Sequence, residues 1–393
     1  MPIAEKTACV AVITLLLAAA PCGASAQEPT TREYPSLYKS PRAMGMGGAY
    51  VAVGGRTDAL FYNPAGLSTM PQDKGWEVNL LGISAEYSKN AKDFASNLRN
   101  AFDVMDTNNS GSTDDEKLQA VNNVLAKYRG QEIHVRAADF TSIGKSYDRF
   151  AFAVGGLGSG RIDAIPHEGL GADGILEVNA DVTYGGAGGA SFGLTPNIIA
   201  GLGVKALHRE SVTHSFTAQE LVNNQDRLND YIKKDLRKKG NAVGFDAGLL
   251  WKFAPISPFR PALGVSVQNI GNLSFGEAGR IPQTVNVGIA INPITPWFRS
   301  ITVAADYIDA LNKFEQDKDA VKRLRYGAEI QFFDVWAAEL AVRAGMYEGY
   351  PTAGADLRLL VFTLSYTMYT EEIGAYAGQD KNKRHLLMLN VGW

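Results

Sequence analysis

Beyond residue 75 the chain alternates between apolar positions and polar or small positions, in short segments separated by turn residues. In residues 243–253 one face carries Val, Phe, Ala, Leu, Trp and Phe, and the other carries mainly glycine with aspartate and lysine. Residues 285–291 and 362–368 repeat the alternation. A period of two with one apolar face predicts β-strands. Glycine and charge on the second face indicate lipid outside and a crowded lumen inside.

The alternation predicts an all-β membrane protein, an antiparallel outer-membrane β-barrel of about fourteen strands. Short turns and long connections alternate along the chain, as they do between the periplasmic and outer sides of such barrels. An even strand number also fits a bacterial barrel. The predicted strands lie near residues 76–88, 131–146, 149–162, 174–191, 197–212, 241–254, 260–270, 281–292, 298–309, 323–333, 335–346, 351–359, 361–370 and 383–393.

Three of the long connections carry apolar residues at helical spacing. They are residues 93–105, 115–129 and 218–239. A repeat of apolar residues every three to four positions predicts amphipathic helices. We therefore expect helical extracellular loops that fold across the mouth of the barrel.

Residues 40–70 read SPRAMGMGGAYVAVGGRTDALFYNPAGLSTM and differ from the strands that follow. Glycines among apolar residues allow the backbone to bend and to approach other backbone closely. The run Asn63-Pro64-Ala65-Gly66 has the residue types of a turn. The stretch predicts a compact, folded plug.

Two ordered motifs in this stretch carry a family resemblance. Arg42-x-x-Gly-Met-Gly-Gly-Ala-Tyr-Val-Ala-Val, followed by Asp58-Ala-Leu-Phe-Tyr-Asn-Pro-Ala-Gly-Leu, resembles the amino-terminal hatch of the FadL superfamily, nearest to its PorV-like branch. The resemblance implies a 14-stranded barrel plugged from the periplasmic side and outer loops that shape a hydrophobic binding site. The candidate hatch and gating residues are Gly45, Gly47, Gly48, Asp58, Asn63, Pro64, Ala65 and Gly66. The alternative is that these residues only make a stable plug.

The amino terminus reads as a secretory signal peptide, which places the mature protein outside the cytoplasm. Lys6 precedes an apolar run over residues 8–20, and Ala-Ser-Ala at 24–26 offers a cleavage site. The expected organisation is a signal peptide over 1–26, an extension and hatch over 27–75, and a transmembrane barrel over 76–393. Both cysteines, Cys9 and Cys22, lie in the leader, so the mature chain is expected to have no disulfide.

Four basic residues on predicted strands have mostly apolar sequence neighbours. Charged groups at membrane depth are stable only when they face the lumen and are paired. One interpretation is that they receive the polar head of an amphipathic ligand, and the other is that they belong to a structural ion-pair network. The candidates are Arg136, Lys205, Arg325 and Arg343.

A polar loop resembles part of an EF-hand calcium loop. Asp106, Asn108, Ser110 and Asp114 stand at ligand positions 1, 3, 5 and 9, and Gly111 stands at position 6. Position 12, which needs a bidentate glutamate, is a lysine. The sequence therefore predicts at most weak calcium binding there, with a polar turn between two helices as the alternative.

Charge and motifs exclude several other classes. The net charge is −3 and the basic residues form no stripe, which argues against nucleic acid binding. The histidines show no zinc spacing and no catalytic motif is present, so we expect neither an enzyme nor a cofactor beyond weak calcium.

The expected function is passive uptake of hydrophobic or amphipathic compounds, such as long-chain fatty acids, across a bacterial outer membrane. The alternative is a PorV-like partner of a protein secretion or surface attachment system. Expected partners are a hydrophobic small molecule, outer-membrane lipid and lipopolysaccharide, the barrel assembly machinery that reads the strand ending at Trp393, and in the alternative a secretion-system subunit. A channel predicts a continuous apolar tunnel, and a secretion partner predicts a sealed lumen.

Overall fold

Fourteen strands close into a barrel in the computed structural model, which describes residues 33–72, 75–105, 114–167, 176–217, 220, 232–314, 316–317, 319–335 and 337–393. Each strand pairs antiparallel with its neighbours, and the first strand pairs with the last. The barrel strands are β1 (Trp76–Ser88), β2 (Ile133–Ser146), β3 (Phe150–Pro166), β4 (Leu176–Gly193), β5 (Ile198–Phe216), β6 (Lys238–Lys252), β7 (Ala262–Ile270), β10 (Thr284–Ile291), β11 (Ser300–Tyr307), β12 (Leu324–Val335), β13 (Ala338–Tyr347), β14 (Tyr350–Leu359), β15 (Phe362–Glu372) and β16 (Lys381–Gly392), and a separate hairpin contains β8 (Leu273–Ser274) and β9 (Arg280–Ile281).

The predicted fold class is confirmed, and all fourteen predicted strands are present. The main difference concerns the loop ends of β3 and β5, which continue past their predicted ends to Pro166 and Phe216, both paired with Leu176 of β4. Polar residues interrupt the apolar alternation there, but the backbone ladder needs no apolar face. The prediction of a loop beginning at residue 163 was therefore wrong.

The barrel has two distinct ends. At one end, which we call the turn end, the first strand begins and the last strand finishes. Short connections such as residues 147–149 and 194–197 join neighbouring strands there. The opposite end, the loop end, carries the long connections, including residues 89–132 and 308–323. Two predicted helices of the first long connection are present, α2 (Ala91–Met105) and α3 (Asp114–Lys127), and they pack against each other. In the third predicted helical loop, residues 221–231 lie outside the described residues.

The two faces of the wall have opposite character. Exposed apolar side chains cover the outside, for example Leu202 (64% exposed), Val243 and Leu364, whereas buried charged and polar side chains fill the inside. This is the inverse of a soluble protein and is the arrangement of a membrane barrel. Within the described part of the chain, no helix is long and apolar enough to cross a membrane.

Residues 41–70, which we call the hatch segment, and residues 33–40, the N-terminal extension, lie inside the barrel. Together they contact every strand of the wall, from Thr57 on Glu77 of β1 to Tyr38 on Met388 of β16. A segment that touches all strands of a closed barrel must occupy the lumen. The hatch segment contains α1 (Pro41–Gly45) and two 3₁₀ helices, Thr57–Phe61 and Pro64–Thr69.

Candidate functional site

The predicted turn at Asn63 is the start of the second 3₁₀ helix and a close contact between hatch and wall. The Asn63 side-chain oxygen accepts a hydrogen bond from the Ala65 N–H at 3.0 Å, which caps the helix. Its amide nitrogen donates to the carbonyls of Val51 (2.8 Å) and Leu249 (3.2 Å). The side chain thus joins the hatch segment to β6.

Two strand glycines leave room for this turn. A Cβ atom at Gly248 would overlap the Asn63 side-chain oxygen, and one at Gly201 would overlap the Ala65 backbone nitrogen. Nothing in their own strands requires glycine, because neither has a positive φ. Sequence reasoning missed both positions, since their role depends on a segment that lies far away in sequence.

Gly248→Ala is expected to destabilise the packing of the hatch segment by about 1–3 kcal/mol, the usual range for an added methyl in a close-packed site. The measurement is urea unfolding of the purified barrel in lipid vesicles, followed by tryptophan fluorescence. Gly158→Ala on β3 is the matched control, because no atom lies within 4 Å of its added Cβ. Equal losses in the two variants would contradict the proposed contact.

The glycines at the start of the hatch segment allow its backbone to turn tightly and to approach the wall closely. Gly47 and Gly48 have φ of 68° and 81°, which favour glycine. Gly45 packs on the Arg343 side chain, and its carbonyl accepts a hydrogen bond from the Thr352 hydroxyl at 2.9 Å. These predicted hatch residues therefore lie against β12 to β14.

Two buried aspartates hold this part of the segment. Predicted residue Asp58 accepts hydrogen bonds from the Ser40 hydroxyl (2.5 Å) and the Tyr50 hydroxyl (3.0 Å), so it braces the hatch internally. Asp306 on β11 accepts from the backbone N–H groups of Tyr50 and Val51 at 2.5 and 2.7 Å. Sequence reasoning missed Asp306, because only the fold reveals that it faces the hatch.

An ion-pair chain ties the hatch to the wall at β12 to β14. Arg42 binds Glu329 through two hydrogen bonds of 2.9 and 2.7 Å. Glu329 also accepts from Arg343 at 2.6 Å, and Arg343 binds Asp356 at 2.7 Å. Arg56 lies 3.5 Å from Asp356. Such two-point arginine contacts fix orientation as well as charge.

The four cations predicted to bind a ligand all have protein partners. Arg343 belongs to the chain just described, and Arg136 donates to the carbonyl of Leu37 at 2.6 Å, so it holds the N-terminal extension. Lys205 pairs with Asp246 at 2.9 Å, and Arg325 pairs with Glu348 at 3.1 Å. The structure brings only Lys205 and Arg325 to a common cavity.

A second group of buried charges fills the lumen near the loop end. Lys39 bridges Glu33 (2.6 Å) and Glu371 (2.8 Å), and Arg384 reaches Glu33 (2.8 Å) and Glu132 (3.1 Å). Burial raises the pKa of Glu132 to about 7, although the neighbouring Arg384 acts in the opposite direction. The N-terminal extension is thereby anchored to β15 and β16.

Metal binding has two candidate places. Ligand atoms of Glu33, His134 and Asp163 lie within 4.8 Å of one another, but Arg384 and Arg161 already pair with these carboxylates, which disfavours a cation. The predicted calcium residues Asp106, Asn108 and Ser110 lie outside the described residues. Asp114 begins α3, and the position of its side chain is not described.

Two cavities flank the hatch. The inner cavity, about 500 Å³, lies toward the turn end and is lined by Trp76, Phe140, Met388 and charged residues including Arg56. The outer cavity, about 90 Å³, is lined by Phe61, Tyr62, Ile281, Lys205 and Arg325. Tyr38 lines both cavities and is only 5% exposed. Its ring therefore forms part of the partition between them.

The Tyr38 ring belongs to an aromatic cluster. Ring centroids of Tyr38, Phe61 and Phe140 lie 4.9–5.3 Å apart. The cluster is the centre of a larger contiguous set of buried apolar side chains, which we call the apolar column. It runs from Met70 at the inner cavity to the β8–β9 hairpin at the loop end, and its other members include Leu60, Leu67, Leu157, Leu207, Leu273, Phe275 and Ile281.

The apolar column faces β2, β3, β5 and β6, and the ion pairs that hold the hatch segment and the N-terminal extension lie mainly at β12 to β16 and the start of β2. Buried charges also lie on the side of the column, because Lys205 pairs with Asp246 across β5 and β6, and Arg161 and Arg209 both pair with Asp181 on β4. Phe275 and Leu273 are fully buried, because the β8–β9 hairpin folds inward against Gly240 and Gly244 of β6. Sequence reasoning treated this hairpin as an ordinary loop and missed its place in the column.

The fold is shared with toluene transporters. The toluene transporter TodX of Pseudomonas putida matches over 92% of this chain and 99% of its own, with a TM-score of 0.52 and 10% identity. The toluene transporter TbuX of Ralstonia pickettii matches over 90% and 98%, with a TM-score of 0.51 and 12% identity. A Pseudomonas aeruginosa FadL homologue matches over 92% and 99%, with a TM-score of 0.35 and 10% identity.

These matches confirm the resemblance to FadL-family barrels at the level of the fold. They do not bear on the PorV-like branch, which stays a prediction. No protein-family model matches the chain, and no curated protein matches it. At such low sequence identities the likeness supports a common architecture, and the function rests on the geometry of the lumen.

Proposed function

We propose that this protein lies in a bacterial outer membrane and conducts hydrophobic or amphipathic compounds, such as long-chain fatty acids, passively inward. The observation that carries the proposal is the apolar column, which links the loop end to the inner cavity. Apolar side chains offer a solute a path with no unsatisfied polar group. The transport function of TodX and TbuX is consistent with this use of the fold.

In this proposal the hatch segment is the gate, and its ion-paired side stays attached to the wall. The network around Arg42 and Lys39 holds the hatch against β12 to β16. On the opposite side, the contacts of Leu60, Phe61 and Leu67 are apolar and non-directional, so they can separate and reform around a solute. A local shift at this side joins the two cavities.

Tyr38→Ala is expected to raise uptake of a fluorescent long-chain fatty acid severalfold, because the substitution removes a ring that separates the two cavities. The measurement uses cells that lack their own fatty-acid channel and express equal amounts of each variant at the surface. Tyr62→Ala is the matched control, since Tyr62 lines the outer cavity alone.

Two results would count against the proposal. If cells with the native protein take up no fatty acid and no monoaromatic compound above background, the transport function is wrong. If the native protein transports but Tyr38→Ala equals Tyr62→Ala, the route past Tyr38 is wrong while transport stands.

A second candidate is the PorV-like partner of a secretion or attachment system. One observation favours it: across the described residues, the lumen between the two cavities is filled by side chains of the hatch and the wall. Purification of the native barrel from its own membrane, with mass spectrometry of retained lipids and proteins, separates the two candidates. A retained hydrophobic compound supports the channel, and a stoichiometric secretion subunit with an empty lumen supports the partner.

A further inference from the structure

Three lysines and three ring side chains form a patch on the outside of the wall at the loop end. Tyr87 of β1 lies directly opposite His385 of β16, and the two rings stack with centroids 5.5 Å apart. The Tyr366 hydroxyl on β15 lies 2.7 Å from the imidazole of His385. The exposed lysines Lys89, Lys381 and Lys383 lie beyond this ring layer.

Two of the lysines lie side by side across the seam between β1 and β16. Lys89 and Lys383 are cross-strand neighbours, since the Lys89 N–H donates to the Lys383 carbonyl at 2.8 Å. Like charges directly opposite each other destabilise a sheet. Both also repel a protonated His385. Among the described residues, none of the three lysines forms an ion pair.

The height of the patch places it at the membrane surface. Tyrosine and histidine rings with one polar edge favour the interface between hydrocarbon and water. Lys89 and Lys383 follow Tyr87 and His385 by two strand positions toward the loop end, which is about 7 Å. Their ammonium groups therefore lie at the level of lipid headgroups.

We propose that this patch, on strands β1, β15 and β16, binds a phosphorylated lipid headgroup of the outer leaflet. The lysines contact the phosphates, and the stacked rings of Tyr87, His385 and Tyr366 pack against the body of the lipid. A bound phosphate removes the repulsion between Lys89 and Lys383 and so strengthens the seam at which the first strand closes on the last. The site is independent of transport through the lumen.

The test is retention of diphosphoryl lipid A by the purified full-length barrel in detergent, measured by native mass spectrometry and compared with dephosphorylated lipid A. The native protein is expected to retain the phosphorylated form preferentially. Lys89→Gln/Lys383→Gln is expected to weaken retention about 25-fold, since each cation near an anionic surface contributes about fivefold. Added salt should reduce the preference as well.

Lys145→Gln is the matched control, because Lys145 lies beside the Trp76 ring at the turn end of the wall, in the other leaflet. It should retain the lipid like the native protein. Equal retention of phosphorylated and dephosphorylated lipid by the native barrel, or unchanged retention by the double variant, would overturn the proposal. Circular dichroism and heat-dependent gel mobility confirm that each variant is folded.

Discussion

Oxidation of a Ser68→Cys/Ser191→Cys double variant is expected to reduce fatty-acid uptake to the level of cells without the channel. The Ser68 and Ser191 hydroxyl oxygens lie 2.6 Å apart, one on the hatch segment and one on β4, so two cysteines there can approach disulfide distance. The crosslink holds the hatch on the side where the apolar column lies. Because both native cysteines precede residue 27, the engineered pair has no competing thiol in the described chain.

The locked variant has internal controls. Reduction with dithiothreitol should restore uptake, and each single cysteine variant should transport in both redox states. Mass spectrometry of the tryptic digest verifies the crosslink. Full uptake by the oxidised protein would show that the hatch need not move at β4, which removes the gating role but leaves transport intact.

Arg42→Ala is expected to lower the free energy of unfolding of the hatch-filled barrel by about 3–5 kcal/mol, the usual loss when one member of a buried ion pair is removed. Arg42 makes two hydrogen bonds to Glu329 and a third to the carbonyl of Gly54. Its removal leaves buried Glu329 with Arg343 alone. Urea unfolding in lipid vesicles measures the loss, and single-channel conductance reports whether the loosened hatch opens the lumen.

Arg299→Ala is a suitable control, because Arg299 is exposed at the turn end and forms no ion pair with a described residue. Arg42→Lys should fall between Arg42→Ala and the native protein, since lysine keeps the charge but not the two-point contact. A loss of less than about 1 kcal/mol for Arg42→Ala, typical of a surface pair, would show that this contact does not hold the hatch.

Together these predictions distinguish a hatch that moves on one side from a hatch that is only a plug. A hatch fixed by ion pairs at β12 to β16 and movable at β4 should respond to Arg42→Ala with lower stability and leakage, and to the β4 crosslink with loss of uptake. A hatch that is merely a plug should lose stability in the first variant and show no redox-dependent transport in the second.

The sequence alone was sufficient for the barrel. The strand count, the lipid-facing positions such as Val243 and Leu364, and the helices at 91–105 and 114–127 follow from local periodicity, which any short window contains. The loop ends of β3 and β5 were misjudged because polar residues interrupt the apolar alternation there. The Asn63 turn was recognisable because its residue types restrict the backbone locally.

The tertiary structure decided what the interior does. Arg42 and Glu329 are 287 residues apart, and Asn63 and Leu249 are 186 apart, so no local pattern records their contacts. For the same reason the sequence identified Arg136, Lys205, Arg325 and Arg343 as lumen charges but could not show that each has a partner. Barrel closure brings distant strands around one segment, and only that closure reveals the contacts of Gly248, Asp306 and Tyr38 inside the lumen.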